Sequence, residues 1–161
     1  MSGKNKLPMA VLRDLLNDQG FENVQTYIQS GNIILDSVEN KTTIIQKIKE
    51  GIASKFGYDV PVLIRTIKEW ENAIANNPYP TGNHKILGFA FLSEIPKEKT
   101  FEVNITNNDE YTVIDDVAYI YCPVGMGNTK LTNNLFERKL KVTATSRNLR
   151  TTLKLLELAK S

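Results

Sequence analysis

A chain of 161 residues with 41% hydrophobic and 24% charged residues suits one globular domain, or two small halves sharing a core, and excludes a disordered segment. A lone cysteine, Cys122, excludes an internal disulfide framework, no apolar run approaches the roughly 20 residues of a membrane helix, and the N-terminus lacks a signal peptide's apolar core. The net charge of +2 hides an uneven distribution: residues 67–125 carry 4 Lys/Arg against 9 Asp/Glu, whereas residues 126–161 carry 8 against 2.

A first helix is expected from Pro8, whose missing N–H suits a first turn, with Met9, Leu12, Leu15 and Leu16 as its apolar stripe and Gly20 as its stop. Asn23–Ile28 and Asn32–Asp36 read as two strands joined through Gln29-Ser30-Gly31. A second helix runs from about Asn40 to Phe56, with Ile44, Ile45, Ile48 and Ile52 at helical spacing, and Gly57 ends it. The β-branched run Val60–Arg65 predicts a strand. Thr66 with Glu69 forms a capping-box signature for a third helix, whose buried face is Ile67, Trp70 and Ile74.

Asn77-Pro78-Tyr79-Pro80-Thr81-Gly82 breaks the pattern and suggests a linker at 77–85 between an N-terminal half, 1–76, and a C-terminal half, 86–161. Ile86–Leu92 is nearly continuously apolar and predicts a strand buried on both faces. Pro96–Asn104 admits a short helix over the sheet. Tyr111–Ile114 and Val117–Cys122 flank Asp115-Asp116 as a hairpin, and helices are expected over Lys130–Lys139 and Ser146–Lys160. The order makes an α+β fold of two ferredoxin-like (split βαβ) halves sharing a core, the first without its opening strand.

Residues that carry chemistry are few. His84 is the only histidine, which excludes a histidine-pair metal site, and its loop favours a solvated side chain. Cys122 ends an apolar strand without a base nearby in sequence, so a buried packing residue is favoured over a nucleophile. Gln29-Ser30-Gly31 lacks the first glycine of a nucleophile elbow, and turn chemistry accounts for Asp115 and Asp116. No metal or cofactor is implied.

Two segments point to an anion. Gly125-Met126-Gly127-Asn128-Thr129-Lys130 follows a strand and leads into a helix, the setting in which backbone N–H groups hold an anion. It matches neither the Walker A pattern nor the dinucleotide fingerprint, and a tight strand-to-helix turn capped by Thr129 is the favoured competing reading. In Thr145-Ser146-Arg147-Asn148-Leu149-Arg150, a cap at Thr145 or Ser146 would leave Arg147 and Arg150 on one helix face, extended by Lys154. The competing reading is a solvated basic helix face. Tyr119 and Tyr121 alternate onto one strand face, as in sheet-based RNA binders, but the glycine-aromatic motif of such proteins is absent.

Gly3-Lys4-Asn5-Lys6-Leu7-Pro8-Met9, Thr26-Tyr27-Ile28-Gln29-Ser30-Gly31-Asn32, and the stretch from Lys130-Leu131-Thr132-Asn133 through Glu137-Arg138-Lys139-Leu140 to Thr145-Ser146-Arg147-Asn148 resemble the bacterial domain-of-unknown-function family 1697. The resemblance spans essentially the whole chain. It implies paired ferredoxin-like halves and no activity. Members usually open with a strand reading like Ala-Leu-Leu-Arg-Gly-Ile-Asn, and here Met1-Ser2-Gly3 stands where that strand would end. Leu149 replaces a tryptophan of the family pattern.

The expectation is therefore a cytoplasmic protein that binds an anionic ligand, nucleic acid or a phosphorylated small molecule, without a membrane partner. The candidate ligand-binding residues are Lys4, Lys6, Ser30, Asn32, Gly125, Gly127, Lys130, Arg147, Asn148 and Arg150. The alternatives are a small-molecule enzyme with its site between the halves and an interaction module using a sheet edge. A vacant central strand position would also favour strand exchange between two copies, making a homodimer.

Overall fold

In a computed structural model of the chain, residues 8–27, 31–83, 85–105, 108–127 and 129–160 are described. They form a mixed α/β protein whose residues group into two compact units. Unit 1 runs to Ile64 and takes in the residues from Glu157 onward; unit 2 is Arg65–Leu156, so the expected linker at 77–85 lies inside unit 2.

In unit 1, helix α1 (Met9–Asp18) starts with Pro8 at its N-cap and buries Met9, Leu12 and Leu16. Gly20, at φ +94°, makes the left-handed turn that ends this segment. Strands β1 (Glu22–Tyr27) and β2 (Asn32–Asp36) pair antiparallel, with Thr26 opposite Ile33 and Tyr27 opposite Asn32. Helix α2 (Lys41–Phe56) is capped by Asn40, whose side chain accepts the Thr43 N–H at 2.8 Å, and Gly57 at φ +74° closes it. Leu12, Leu16, Phe21, Ile44, Ile48, Ile52 and Val60 form the core, and each such burial contributes roughly 1.5–3 kcal/mol.

The strand expected at Val60–Arg65 is not present: among the described residues no strand lies between α2 and the next helix. The residues still alternate, since Val60, Val62 and Ile64 pack against the unit 1 core. β-Branching sets which side chains turn inward, but a strand also needs a ladder partner.

Unit 2 opens with helix α3 (Ile67–Ala75), and its capping box is complete: Thr66 accepts the Glu69 N–H at 3.1 Å and Glu69 accepts the Thr66 N–H at 2.8 Å. Strands β3 (Leu87–Leu92), β4 (Glu110–Ile114), β5 (Val117–Tyr121) and β6 (Ala144–Asn148) form one antiparallel sheet in the order β4-β5-β3-β6. All six residues of β3 are buried, as its unbroken apolar run requires. Asp115, at φ +53°, makes the β4–β5 turn. The segment 96–104 is not a helix. Phe101 instead stacks on Tyr111 with centroids 4.5 Å apart, and Tyr111 Oη accepts the Phe101 N–H at 2.9 Å.

The two terminal helices are both shorter than their sequence pattern suggests. Helix α4 is Asn133–Leu140, capped by Thr132, and helix α5 is Leu149–Lys160. The run Ala144-Thr145-Ser146-Arg147-Asn148 is strand β6, not a cap followed by a first helical turn. Small and β-branched residues permit either state, and the exposed edge of the buried strand β3 decides for pairing: Phe89 lies opposite Arg147 and Phe91 opposite Thr145.

The sheet register sorts side chains onto two faces. Ala90, Leu92, Ala118, Ile120, Cys122 and Ala144 meet Leu131, Leu135, Phe136 and Leu140 of α4 and the segment before it. On the other face Trp70 of α3 stacks on Phe91 with centroids 4.2 Å apart, and the Tyr119 hydroxyl donates to the Ala73 carbonyl. The Trp70 indole N–H donates to the Thr152 carbonyl at 2.8 Å, tying α3 to α5.

Candidate anion-binding surface

The glycine loop leaves β5 at Cys122. Gly125, at φ +107°, donates its N–H to the Cys122 carbonyl at 2.8 Å, which closes a turn. Gly127 faces open space. Thr129 Oγ1 accepts the Leu131 N–H at 3.0 Å, and the Thr132 N–H bonds the Lys130 carbonyl at 3.0 Å. Thr132 Oγ1 then caps α4 through the Leu135 N–H at 3.2 Å. Lys130 therefore precedes the helix and is not in its first turn, and a side chain from the protein already meets one of the N–H groups at the start of α4.

Arg147 lies elsewhere. Ser146 shares the α4 face, where its hydroxyl donates to Asn133 Oδ1 at 2.7 Å, so the pleat turns Arg147 to the opposite face. Met126 of the glycine loop packs with the core on the α4 face. Arg147 and the loop are thus on opposite faces of one sheet. Its guanidinium is half-buried, donates to the Ser146 carbonyl at 2.7 Å, and has its pKa lowered by desolvation. Arg147 and Arg150 do not share a helix face, because the first is in β6 and the second in α5.

Asn148 ends β6 and caps α5, its Oδ1 accepting the Thr151 N–H at 2.8 Å. Asn32 is buried in unit 1, where its side-chain amide donates to the Tyr27 carbonyl at 3.2 Å and braces the hairpin. Arg150 is exposed on α5. Lys4, Lys6, Ser30, His84 and Asn128 lie outside the described residues.

One set of cations lies in and beside α4. Lys130, Arg138, Lys139 and Lys141 are all exposed: Lys130 precedes the helix, Arg138 and Lys139 lie in its last turn, and Lys141 is its C-cap at φ +58°. The intervening acid, Glu137, is turned inward, its Oε2 accepting the Ala144 N–H at 2.9 Å. The sequence reading missed this set because Arg138 and Lys139 read as an ordinary helix end, where cations complement the dipole. The available signal was three cations, Arg138, Lys139 and Lys141, beside a single acid, Glu137.

Two residues with chemical potential have structural roles. Cys122 is fully buried, and burial pushes its thiol pKa up while a hydrogen bond with Thr129 opposes the shift, so the thiolate is disfavoured. Arg65, which sequence inspection passes over, donates to the Leu92 carbonyl at 2.6 Å and pairs with Asp116 at 3.1 Å, locking the end of β3 to the β4–β5 turn. Tyr119 is buried beneath α3 and offers no stacking face to a base.

The family model described as a protein of unknown function, DUF1697, matches residues 1–119. The chain belongs to this family. The basic segment 126–161 follows the matched span of the DUF1697 model. Among solved structures, a conserved bacterial protein, SP0830 from Streptococcus pneumoniae, superposes with a TM-score of 0.72 at 21% identity, covering 99% of this chain and 92% of that one. At that identity the likeness concerns the fold. No curated protein matches the chain. Among the described residues no helix is long and apolar enough to cross a membrane.

Proposed function

We propose that this DUF1697 member is a cytoplasmic binding protein for an extended anionic ligand, a nucleic-acid strand ahead of a phosphorylated small molecule. The supporting observation is the exposure of Lys130, Arg138, Lys139 and Lys141 in and beside α4 while Glu137 accepts the Ala144 N–H. Cations spread along a helix suit a ligand whose charges are also spread, because each contact releases counterions from a polyanion. A compact phosphate would call for convergent donors, and Arg147 lies on the face opposite the glycine loop. On this reading the antiparallel β4-β5-β3-β6 sheet of unit 2 is the ferredoxin-like half that presents α4 outward. The enzyme reading is weaker, because the one thiol is buried and held protonated.

The test is binding of a fluorescein-labelled mixed-sequence single strand between 50 and 200 mM salt, followed by anisotropy. The expected result is affinity that falls steeply with salt and varies little with sequence, with a slope of roughly −0.7 per neutralised phosphate. Affinity that stays flat across that range would contradict the proposal.

A further inference from the structure

The unit 2 sheet has two edges, and its hydrogen-bond register fixes which backbone groups each one turns outward. The Leu92 N–H bonds the Asp116 carbonyl and the Cys122 N–H bonds the Ile86 carbonyl, so even-numbered residues of β5 pair with β3. Alternate residues of an antiparallel strand bond to opposite sides, which leaves Val117, Tyr119 and Tyr121 to bond Ile114, Thr112 and Glu110. Tyr111 and Val113 therefore turn their N–H and C=O groups away from β5, along the outer edge of β4. At the other edge the Ser93 N–H bonds the Thr143 carbonyl, so Ala144 and Ser146 face outward there.

Only one of these edges is blunted. At β6 the Ala144 N–H bonds Glu137 Oε2, and the Ala144 carbonyl accepts from Asn133 Nδ2, each at 2.9 Å. The Ser146 carbonyl accepts from the Arg147 guanidinium at 2.7 Å, so side chains occupy that edge. At β4, among the described residues, no group bonds the outward N–H or C=O of Tyr111 or Val113, and no strand other than β5 lies alongside.

The surroundings of the β4 edge are acidic. Residues 100–129 contain Glu102, Asp109, Glu110, Asp115 and Asp116 and no Lys or Arg. Glu110 opens β4 and Asp115 follows its last residue, and both are exposed. The side chains of the strand also sort by face. Tyr111 and Val113 belong to the core on the α4 face, with Phe101 and Val103 packed on it, whereas Glu110, Thr112 and Ile114 take the other face.

We propose that the outer edge of β4 takes an extended basic segment of another protein, antiparallel to β4, in which apolar residues alternate with Lys or Arg. The apolar residues extend the layer of Tyr111 and Val113, and the cations lie on the face of Glu110. Backbone pairing supplies the affinity and the alternation the specificity, as in other strand additions to a sheet. Charge selects the partner: a second copy of this edge would bring the same acids again and no Lys or Arg. The edge lies outside the set of cations in and beside α4, so its occupant is tested separately from a polyanion.

The probe is a fluorescein-labelled peptide of alternating Lys and Val, matched in length to β4 and added to the full chain. Anisotropy and amide hydrogen exchange are the readouts. The expected result is saturable binding, with exchange slowed at least tenfold at Tyr111 and Val113 and unchanged at Thr112 and Ile114, which already bond β5. N-methylation of the valines removes the donors that face β4 and should abolish binding, while N-methylation of the lysines, whose N–H groups face away, should leave it. A peptide with the same lysines and valines in two blocks should bind at least tenfold more weakly. Glu110→Lys with Asp115→Asn, where Asn tolerates the turn at φ +53°, should weaken binding at least tenfold, with native exchange at β3 reporting that unit 2 remains folded. Unchanged exchange at Tyr111 and Val113 under saturating peptide would overturn the proposal, as would equal binding of the block peptide. Protection of these two amides in the free chain would overturn it too, whether present at every concentration or only on dimerisation.

Discussion

Residues 129–141 and 144–160 carry four cations each, yet they present them differently. In the first stretch Lys130, Arg138, Lys139 and Lys141 are all exposed on the α4 side of the sheet. In the second, Arg147 is half-buried in a strand, Arg150 and Lys160 are exposed on α5, and Lys154 is half-buried. Equal local charge has become four exposed cations in and beside α4 and a second set of which only two are exposed. Part of the difference comes from strand β6, whose register turns Arg147 onto the face covered by other elements, and part from Lys154, which lies half-buried on α5.

The comparison breaks most severely if the support of the α4 face is removed. Phe136 is fully buried against Phe101 and Tyr111, and Phe136→Ala should cost about 3–5 kcal/mol in urea unfolding and abolish polyanion binding with it. A loss below about 1 kcal/mol would mean that α4 is not held by this core.

The opposite face can be examined through Tyr119. Burial, with Asp116 and Asp115 adding to it, pushes its hydroxyl from 10.0 up to about 12. The neutral form is favoured in the folded state, so the unfolded chain loses this proton first as pH rises. The resulting stabilisation is fully present below about pH 10 and is lost between about pH 10 and about pH 12. Tyr119→Phe should flatten that fall, at the expense of about 1 kcal/mol at neutral pH for the lost bond to Ala73.

Smaller effects sharpen the contrast between the two basic stretches. Arg147→Ala should lower stability by about 1–2 kcal/mol, since its side chain packs against the sheet, while oligonucleotide affinity changes less than twofold. Thr132→Ala should cost about 1 kcal/mol by uncapping α4, readable as a lower urea midpoint with an unchanged slope.

Much of this architecture was legible because local signals agreed with their setting. Asn40 and Gly57 bracket α2, Thr66 and Glu69 cap α3, and the apolar run at β3 is buried throughout. The readings that missed share a physical cause. Val60–Arg65 has the alternation of a strand, and whether it joins a ladder depends on a partner far away in sequence. Thr145-Ser146 could cap a helix or pair in a sheet, and β3 settles the choice. That choice also moves Arg147 to the other face, so the expected row of Arg147, Arg150 and Lys154 does not form, and the glycine loop stands apart from Arg147. Cys122 was read correctly as a packing residue, since an apolar strand end without a base is a setting for burial.

The reading of the α4 face is tested most directly by comparing salt dependence in two variants. Arg138→Gln, Lys139→Gln and Lys141→Gln together remove three exposed cations and keep the helix formers in place. The slope of log affinity against log salt for single-stranded DNA should become shallower by about 2, at roughly 0.7 per cation, with the melting temperature little changed. Arg147→Gln should leave the slope as it is. A triple variant with an unchanged slope, or an Arg147 variant that accounts for the whole loss, would contradict a ligand surface on α4.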